Sequence, residues 1–383
     1  MLGVADLSGG GGTERFFKDF FELYSEYTER KYELIFFTDR KSFNNLKAVD
    51  KKFHVNKITL VNINLWDKLF NRYSRKLINI LNSKDVKLLH ICLVRPVYLP
   101  FLWVLQTRGG QYRPAVAITV VDCSVSHRYF DPVYRLSLSQ LKINLIYKIF
   151  FKFVRLDGVI SWYKLFLDKF SQRNFLYCPV IDKIDHYFVD TKLFKPATIK
   201  ENTIIYAARL IQQKQPLFFV RAIYELLKKR ENALLGWRVL IFGDGNQRKE
   251  VIKTISKLNL DGIIELKSNS SLKDEFSLSK LFVSTQDYDN FTSLSMLEAM
   301  SAGNAIISRN VGETNKLIEH GCNGYLIDQD TPEAMAEAIL KYLDKKEDHE
   351  FMAKYSRDIA INKYKPEYFF QDLEKFWNKI LLN

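Results

Sequence analysis

The stretch DYDNFTSLSMLEAMSAGNAIIS, residues 287–308, passes from a polar loop into a helical pattern and then into a short apolar run. The helical part ends near Gly303, and the run NAIIS that follows has the length and composition of a buried strand. A helix that leads directly into such a strand is typical of a βαβ unit. The stretch therefore predicts a parallel α/β sheet in this part of the chain.

Apolar runs of strand length alternate with helical patterns throughout the sequence, which predicts parallel sheets with helices on both faces. The predicted strands are 32–38, 86–92, 115–121, 157–162, 202–208, 238–243, 262–266, 281–285, 304–308 and 324–327. The predicted helices are 13–30, 65–82, 96–107, 136–155, 215–230, 246–258, 293–302, 312–320 and 331–344.

A polar, proline-containing connector at 188–202 separates two such series of elements. We therefore expect two Rossmann-like, doubly wound α/β domains, 1–187 and 188–364, that face each other across a cleft. Residues 365–383 are expected to form a helix that packs back on the first domain. Ligands bind at the carboxyl ends of the strands in such sheets, so a cleft of this kind suits a reaction between two substrates.

The composition is that of a globular protein, with 47% hydrophobic and 26% charged residues in a chain of 383. The formal net charge is +13, which is compatible with nucleic acid, anionic lipid or phosphorylated substrates as partners. The basic residues are spread along the chain, which argues against nucleic acid and is equally typical of a solvated lysine-rich surface. The four cysteines have no short spacing, so they indicate neither a zinc site nor a redox pair, and they suit a reducing cytoplasm.

Two cations follow the predicted strand in IIYAARLIQQKQP, residues 204–216. Arg209 and Lys214 stand five residues apart, just before a helix that begins at Pro216. An arginine can hold a phosphate with two parallel hydrogen bonds, and a lysine adds a point charge. The spacing suggests a diphosphate clamp, although two solvated loop cations have the same pattern.

Two further segments carry groups that suit a nucleotide. Gly243 and Gly245 lie between a predicted strand and a helix, where glycine permits a tight turn and the close approach of a ligand. The helix in 287–308 begins near Thr292 or Ser293, and the free N–H groups at its start attract anions. Glu298 can accept hydrogen bonds from a vicinal diol such as ribose, or it forms a capping box with Ser295.

These segments, in this order, resemble the donor-binding domain of family 4 retaining glycosyltransferases, which have the GT-B fold. The resemblance is carried by Arg209-Leu210 with Lys214, by the turn Gly243-Asp244-Gly245 and by LEAMSAG at 297–303. The segments VDTKLFKP at 189–196 and GCNGYLI at 321–327 are similar to the family's linker and late Asn-Gly turn. The resemblance covers roughly 188–345 of this sequence.

The resemblance implies that Arg209 and Lys214 hold the nucleotide diphosphate and that Glu298 binds the ribose hydroxyls. It also implies backbone donors to the phosphate or sugar from the helix start at Thr292, Ser293 and Leu294.

The sequence departs from the family pattern at several positions. Asn290 stands where the family has the first of two glutamates, and its uncharged amide can form a hydrogen bond with a sugar hydroxyl. Asp287 and Asp289 are the candidates to replace the missing glutamate. The other departures are Ala208, Glu313 and Lys316. These changes leave the identity of the donor sugar open.

In the first half, the resemblance assigns the loop SGGGGTER at 8–15 to a glycine-rich segment that faces the donor phosphates. Gly10, Gly11 and Gly12 would let the diphosphate and sugar approach bare backbone, while a flexible N-terminal tail is the alternative. The family usually has a histidine near the donor sugar, for which His90 and His127 are the candidates. Asp122 ends a predicted strand and is expected to point toward the cleft.

The implied reaction is same-face transfer, in which the leaving diphosphate takes the acceptor proton. It requires neither a protein nucleophile nor a metal, and we expect no metal site and no cofactor. The expected donor is a nucleotide diphosphate sugar, with UDP-sugar favoured over GDP-sugar. The acceptor is a glycan or a lipid-linked molecule in the synthesis of a cell-surface polysaccharide or glycolipid.

A basic amphipathic stretch at 139–155 suggests binding to a membrane surface, or a core helix with snorkelling lysines. No apolar run is long enough to predict a membrane span, so the expected location is cytoplasmic or peripheral on the inner membrane face. A nucleotide-sugar epimerase, a non-catalytic nucleotide-sugar binding protein and a nucleic-acid binder are the alternative functions.

Overall fold

The computed structural model describes residues 16, 19–20, 22–24, 26–27, 29, 31–32, 34–39, 58–63, 79, 81–83, 85–91, 114–120, 155–161, 178–184, 187–267, 272–287 and 293–383. The chain forms two compact units. Unit 1 consists of Met1–Asp185 and Phe369–Asn383, and unit 2 consists of His186–Tyr368.

Six parallel strands are described in unit 1. They are β1 (Leu34–Asp39), β2 (Ile58–Ile63), β3 (Leu88–Ile91), β4 (Ala115–Val120), β5 (Gly158–Ser161) and β6 (Val180–Lys183). β1 pairs with β2, and β3, β4, β5 and β6 pair in sequence order, all in parallel. β5 is buried along its whole length, as expected for a parallel strand that is covered on both faces.

Unit 2 contains a six-stranded parallel sheet with helices between its strands. The strands are β7 (Thr203–Ala207), β8 (Arg238–Phe242), β9 (Ile264–Lys267), β10 (Leu281–Ser284), β11 (Ala305–Arg309) and β12 (Gly324–Ile327). The helices are α1 (Pro216–Lys229), α2 (Arg248–Lys257), α3 (Leu272–Leu278), α4 (Leu294–Ser301), α5 (Pro332–Asp344) and α6 (His349–Lys363). The strand order is β12-β11-β10-β7-β8-β9.

Successive residues of β7 pack on opposite faces of this sheet. Ile204 and Tyr206 belong to the core cluster that contains the apolar residues of α1 and α5. Ile205 and Ala207 belong to a second cluster that contains those of α4. A continuous apolar run therefore forms a strand here, because both of its faces are covered by helices.

The last helix, α7 (Pro366–Leu382), completes the core of unit 1. Its residue Phe370 packs edge-on against Tyr24, with ring centroids 5.2 Å apart. Beside this pair lies the buried Glu374, which accepts hydrogen bonds from the Tyr24 hydroxyl at 2.7 Å and from the Lys31 N–H at 3.0 Å. The carboxylate is thus satisfied inside an aromatic layer, as a buried charge requires.

Every predicted strand is confirmed to within two residues, whereas β2, β6, α3 and α6 were not predicted. The predicted helix 312–320 is wrong, because only the 3-10 turn Thr314–Lys316 forms there. That segment is closed by bonds between residues three apart and lies between Gly312 and Gly321, both at positive φ. The predicted helices 96–107 and 136–155 lie outside the described residues, apart from Arg155.

Candidate functional site

The carboxyl ends of β7 and β10 mark the point at which the strand order of unit 2 reverses. From β7 the chain continues to β8 and β9 on one side, and from β10 it continues to β11 and β12 on the other. Ligands of open parallel sheets bind at such a point, because the connections that leave the two strands separate there. Arg209 and Lys214 follow β7, and Gln286 and Asp287 follow β10. Sheet topology therefore selects this edge as the candidate site.

Arg209 is exposed just beyond β7, on backbone that packs against the turn at 243–245. A Cβ atom on Gly243 would lie 1.9 Å from the carbonyl oxygen of Ala208. A Cβ atom on Gly245 would lie 2.4 Å from that of Leu210. The turn therefore packs closely against the backbone on either side of Arg209, and the lack of a side chain at both glycines permits this packing.

The Arg209 side chain takes part in no hydrogen bond or ion pair with any residue that the structure describes. An exposed guanidinium that has no carboxylate partner among these residues keeps its donors available for an anion that accepts two parallel hydrogen bonds. This arrangement suits a phosphate group better than it suits a structural ion pair.

Lys214 is the last residue of the 3-10 turn Gln212–Lys214. It is bound by residues of β7 and of the segment after β10, the two strands between which the strand order reverses (the switch point of the sheet). Its carbonyl oxygen accepts hydrogen bonds from the Tyr206 hydroxyl at 2.8 Å and from the Thr285 hydroxyl at 2.9 Å. Its Nζ donates to Oε1 of Gln286. Burial raises the pKa of the Tyr206 hydroxyl, which therefore stays protonated and remains a donor.

The start of α4 lies beyond β10 in the sequence and is capped by a side chain. The Ser293 hydroxyl accepts a hydrogen bond from the Met296 N–H at 3.4 Å, which makes Ser293 the N-cap and Leu294 the first helical residue. A capping box between Ser295 and Glu298 is therefore wrong, because Ser295 lies inside the helix. Glu298 is only 1% exposed, although it is an acidic residue.

Arg309, at the end of β11, is a buried cation at the same edge that the sequence did not single out. Its guanidinium donates to the carbonyl oxygen of Thr285 at 3.2 Å and pairs with Asp330 at 2.5 Å. It also lies 5.3 Å from the ring centroid of Phe218. In the sequence, the position of this arginine at the end of an apolar strand could have indicated a site residue. Its contacts instead connect the end of β11 to the end of β10.

His90 lies in the core of unit 1, at 3% exposure, and its surroundings argue against the catalytic role that the resemblance suggested. The Trp377 indole N–H donates to Nδ1 at 3.0 Å, and Nε2 lies 2.5 Å from the Thr119 hydroxyl. Because indole nitrogen is a donor only, Nδ1 carries no proton and the ring is neutral. Burial lowers the pKa of His90 to about 3, which agrees with this assignment.

Several residues selected from the sequence lie outside the described part of the chain. They are Gly10, Gly11, Gly12, Asp122, His127, Asp289, Asn290 and Thr292, together with 139–154 of the basic stretch. Within the described residues, no group of three or more His, Cys, Asp or Glu side chains could hold a metal ion. Among the same residues, no helix has both the length and the apolar character needed to cross a membrane.

Comparison with known proteins shows that most of unit 2 is similar to a family of enzymes. Residues 189–359 match the family model of the glycosyl transferases group 1. The chain is also similar to the poly(glycerol-phosphate) alpha-glucosyltransferase of Bacillus subtilis, with 26% identity over 229 residues. That alignment covers 58% of this chain and 32% of the relative. The chain spans less than half the length of the curated relatives that it matches first.

Solved structures resemble the chain over its whole length. A glycosyltransferase from Rickettsia africae has a TM-score of 0.71 at 17% identity, with coverage of 100% of this chain and 98% of that one. The Anabaena protein HepE, crystallised with UDP-glucose, has a TM-score of 0.72 at 15% identity, with 99% of each chain covered. The fold is therefore GT-B, with parallel-sheet, Rossmann-like domains.

Proposed function

We propose that this chain is a retaining glycosyltransferase that moves a hexose-type sugar from a nucleotide diphosphate sugar to a glycan or lipid-linked acceptor. The observation that carries the proposal is the arrangement at the switch point of unit 2. There Arg209 is exposed beyond β7, and Lys214 is bound to Gln286 beyond β10. The match of 189–359 to the group 1 family model supports the same activity.

In this reaction the bond between the sugar C1 and the diphosphate oxygen breaks, and a bond from C1 to the acceptor oxygen forms on the same face. The acceptor proton goes to the leaving diphosphate, so no protein nucleophile is used. The protein stabilises the charge that develops on the diphosphate. Arg209 supplies a two-pronged donor, Lys214 supplies a point charge, and the N–H groups near Ser293 and Leu294 face the same anion.

The remaining assignments follow from the same scheme. Glu298 binds the ribose hydroxyls, while Gly243 and Gly245 fix the segment that carries Arg209. The other proposed contacts to donor or acceptor are Gly10, Gly11, Gly12, Asp122, His127, Asn290 and Thr292. In this scheme 188–364 binds the donor and 1–187 binds the acceptor, as in family 4 of these enzymes.

UDP-sugar is the favoured donor, because UDP is the nucleotide bound by the Anabaena neighbour, and GDP-sugar is the second candidate. The product is a cell-surface polysaccharide or glycolipid. The net charge of +13 suits a cytoplasmic enzyme that works at the inner face of an anionic membrane.

The proposal is tested by supplying UDP-glucose, UDP-N-acetylglucosamine or GDP-mannose and measuring the release of free nucleoside diphosphate, with and without cell-envelope glycans. We expect release that increases with the acceptor and that falls by at least about tenfold in Arg209→Ala, since a charged contact to the leaving group is lost. The matched control is Arg221→Ala, which removes another exposed arginine, on α1, and should retain the wild-type rate.

Three outcomes would contradict the proposal. Interconversion of the sugar without net release of nucleotide would identify an epimerase. Tight nucleotide binding without turnover would identify a binding protein. Equal rates in Arg209→Ala and Arg221→Ala would show that Arg209 does not bind the diphosphate.

A further inference from the structure

We propose that Gln286 is a positioning residue that holds the Lys214 ammonium group at the diphosphate site while adding no negative charge beside it. The inference rests on the proposed function and adds to it a residue that the family pattern did not indicate. It follows from two consecutive pairs of side chains that join the segment after β7 to the segment after β10.

In the first pair, Nζ of Lys214 donates to the side-chain oxygen of Gln286. In the second pair, Nε2 of Gln215 donates to Oδ2 of Asp287 at 3.1 Å. The lysine is thus matched with an amide oxygen, and the neighbouring carboxylate is matched with an amide N–H. Exchanging the two residues at 286 and 287 would instead place a carboxylate on the lysine.

The difference between an amide and a carboxylate decides what Lys214 can do for an anion. A carboxylate at 286 would attract the ammonium group more strongly, and it would also repel an incoming phosphate. The Gln286 oxygen accepts a hydrogen bond without that repulsion. Gln286 is only 6% exposed, so little water screens its contact with the lysine.

The backbone of Lys214 is fixed as firmly as its side chain. The Thr285 hydroxyl lies 2.9 Å from the carbonyl oxygens of both Lys214 and Gln215. Gln215 has a φ of 51°, a left-handed conformation that persists only when its surroundings determine it. A lysine has four rotatable side-chain bonds, so restraint at both ends removes freedom that phosphate binding would otherwise have to remove.

The test compares Gln286→Glu and Gln286→Ala with wild type by calorimetric titration with UDP and by thermal unfolding. We expect Gln286→Glu to raise the Kd for UDP at least about tenfold at an unchanged or higher Tm, because the lysine contact is kept while a negative charge is added. Gln286→Ala should raise the Kd severalfold by removing this restraint on the ammonium group. The control Asn232→Asp adds the same charge before β8, at the opposite edge of the sheet, and should leave the Kd unchanged.

A double-mutant cycle keeps the test decisive if either variant is less stable. On a Lys214→Ala background, Gln286→Ala should cause no further loss of UDP affinity, because its effect acts through the lysine. Equal losses in both backgrounds, or a wild-type Kd in Gln286→Glu, would overturn the positioning role alone. A wild-type protein that binds none of UDP, GDP or ADP would overturn the proposed function as well.

Discussion

The substitution Gly243→Ala tests whether the glycine turn positions Arg209. The added Cβ atom would lie 1.9 Å from the carbonyl oxygen of Ala208, whereas real Cβ atoms do not approach other heavy atoms within 3.0 Å. The two segments must therefore separate by at least 1.1 Å, the difference between these distances. In addition, Gly243 has a φ of +146°, which a residue with a side chain adopts only with strain of about 1–3 kcal/mol.

We expect Gly243→Ala to lower the free energy of unfolding of unit 2 by about 2 kcal/mol or more, because it adds backbone strain and a steric clash. For a unit of this size the loss corresponds to a fall in Tm of about 4–8 °C. Because a misplacement of about 1 Å in a catalytic site can reduce turnover about 100-fold, release of nucleoside diphosphate should fall more than stability alone explains.

The matched control is Gly262→Ala, since a Cβ atom at Gly262 would meet no heavy atom within 4 Å. This control should change the free energy of unfolding by less than about 0.5 kcal/mol and leave turnover unchanged. Both variants are measured by thermal unfolding and by release of free UDP from the active donor. A Gly243→Ala protein with the Tm and turnover of the control would refute the packing argument.

Two further predictions concern acidic and titratable groups. Glu298→Gln should raise the Kd for UDP by about tenfold while the Tm stays within a few degrees of wild type, because the side-chain shape is kept and one charged acceptor is lost; a large fall in Tm at constant affinity would assign Glu298 to the fold instead. Stability should fall as the pH is lowered from about 6.5 toward about 3, because His90 is neutral in the folded state, with its pKa lowered to about 3, and takes up a proton on unfolding. In urea unfolding at several pH values, the free energy of unfolding should change with pH by up to about 1.4 kcal/mol per pH unit because of this group. The same pH dependence in His90→Phe would show that another group causes it.

Most strands of unit 2 were predictable because they are apolar runs bounded by turn residues and buried along their length, as β7, β10 and β11 are. β6 was missed because only Val180 of its four residues is buried, and its Asp182 and Lys183 interrupt the apolar pattern. α3 was missed because it has seven residues, of which only Phe276 is buried. An edge strand and a short helix are stabilised by tertiary contacts that a local pattern does not contain.

The cations of the site were predictable for a similar reason, since a charge at the end of an apolar strand is a local signal. Gln286 carries no charge, and its partner Lys214 lies 72 residues away in the sequence, so nothing local indicated its role. The surroundings of His90 were equally hidden, because Trp377 follows it by 287 residues. In both cases a contact between distant parts of the chain decides what the side chain does.

The central claim is that a nucleoside diphosphate binds at the carboxyl edge of unit 2, between the segments that follow β7 and β10. A crystal structure of the protein with UDP tests it most directly. The account predicts diphosphate oxygens within about 2.7–3.2 Å of the Arg209 guanidinium and of the Lys214 Nζ, with a ribose hydroxyl on Glu298. A diphosphate bound elsewhere, or one at this edge that contacts neither cation, would contradict it.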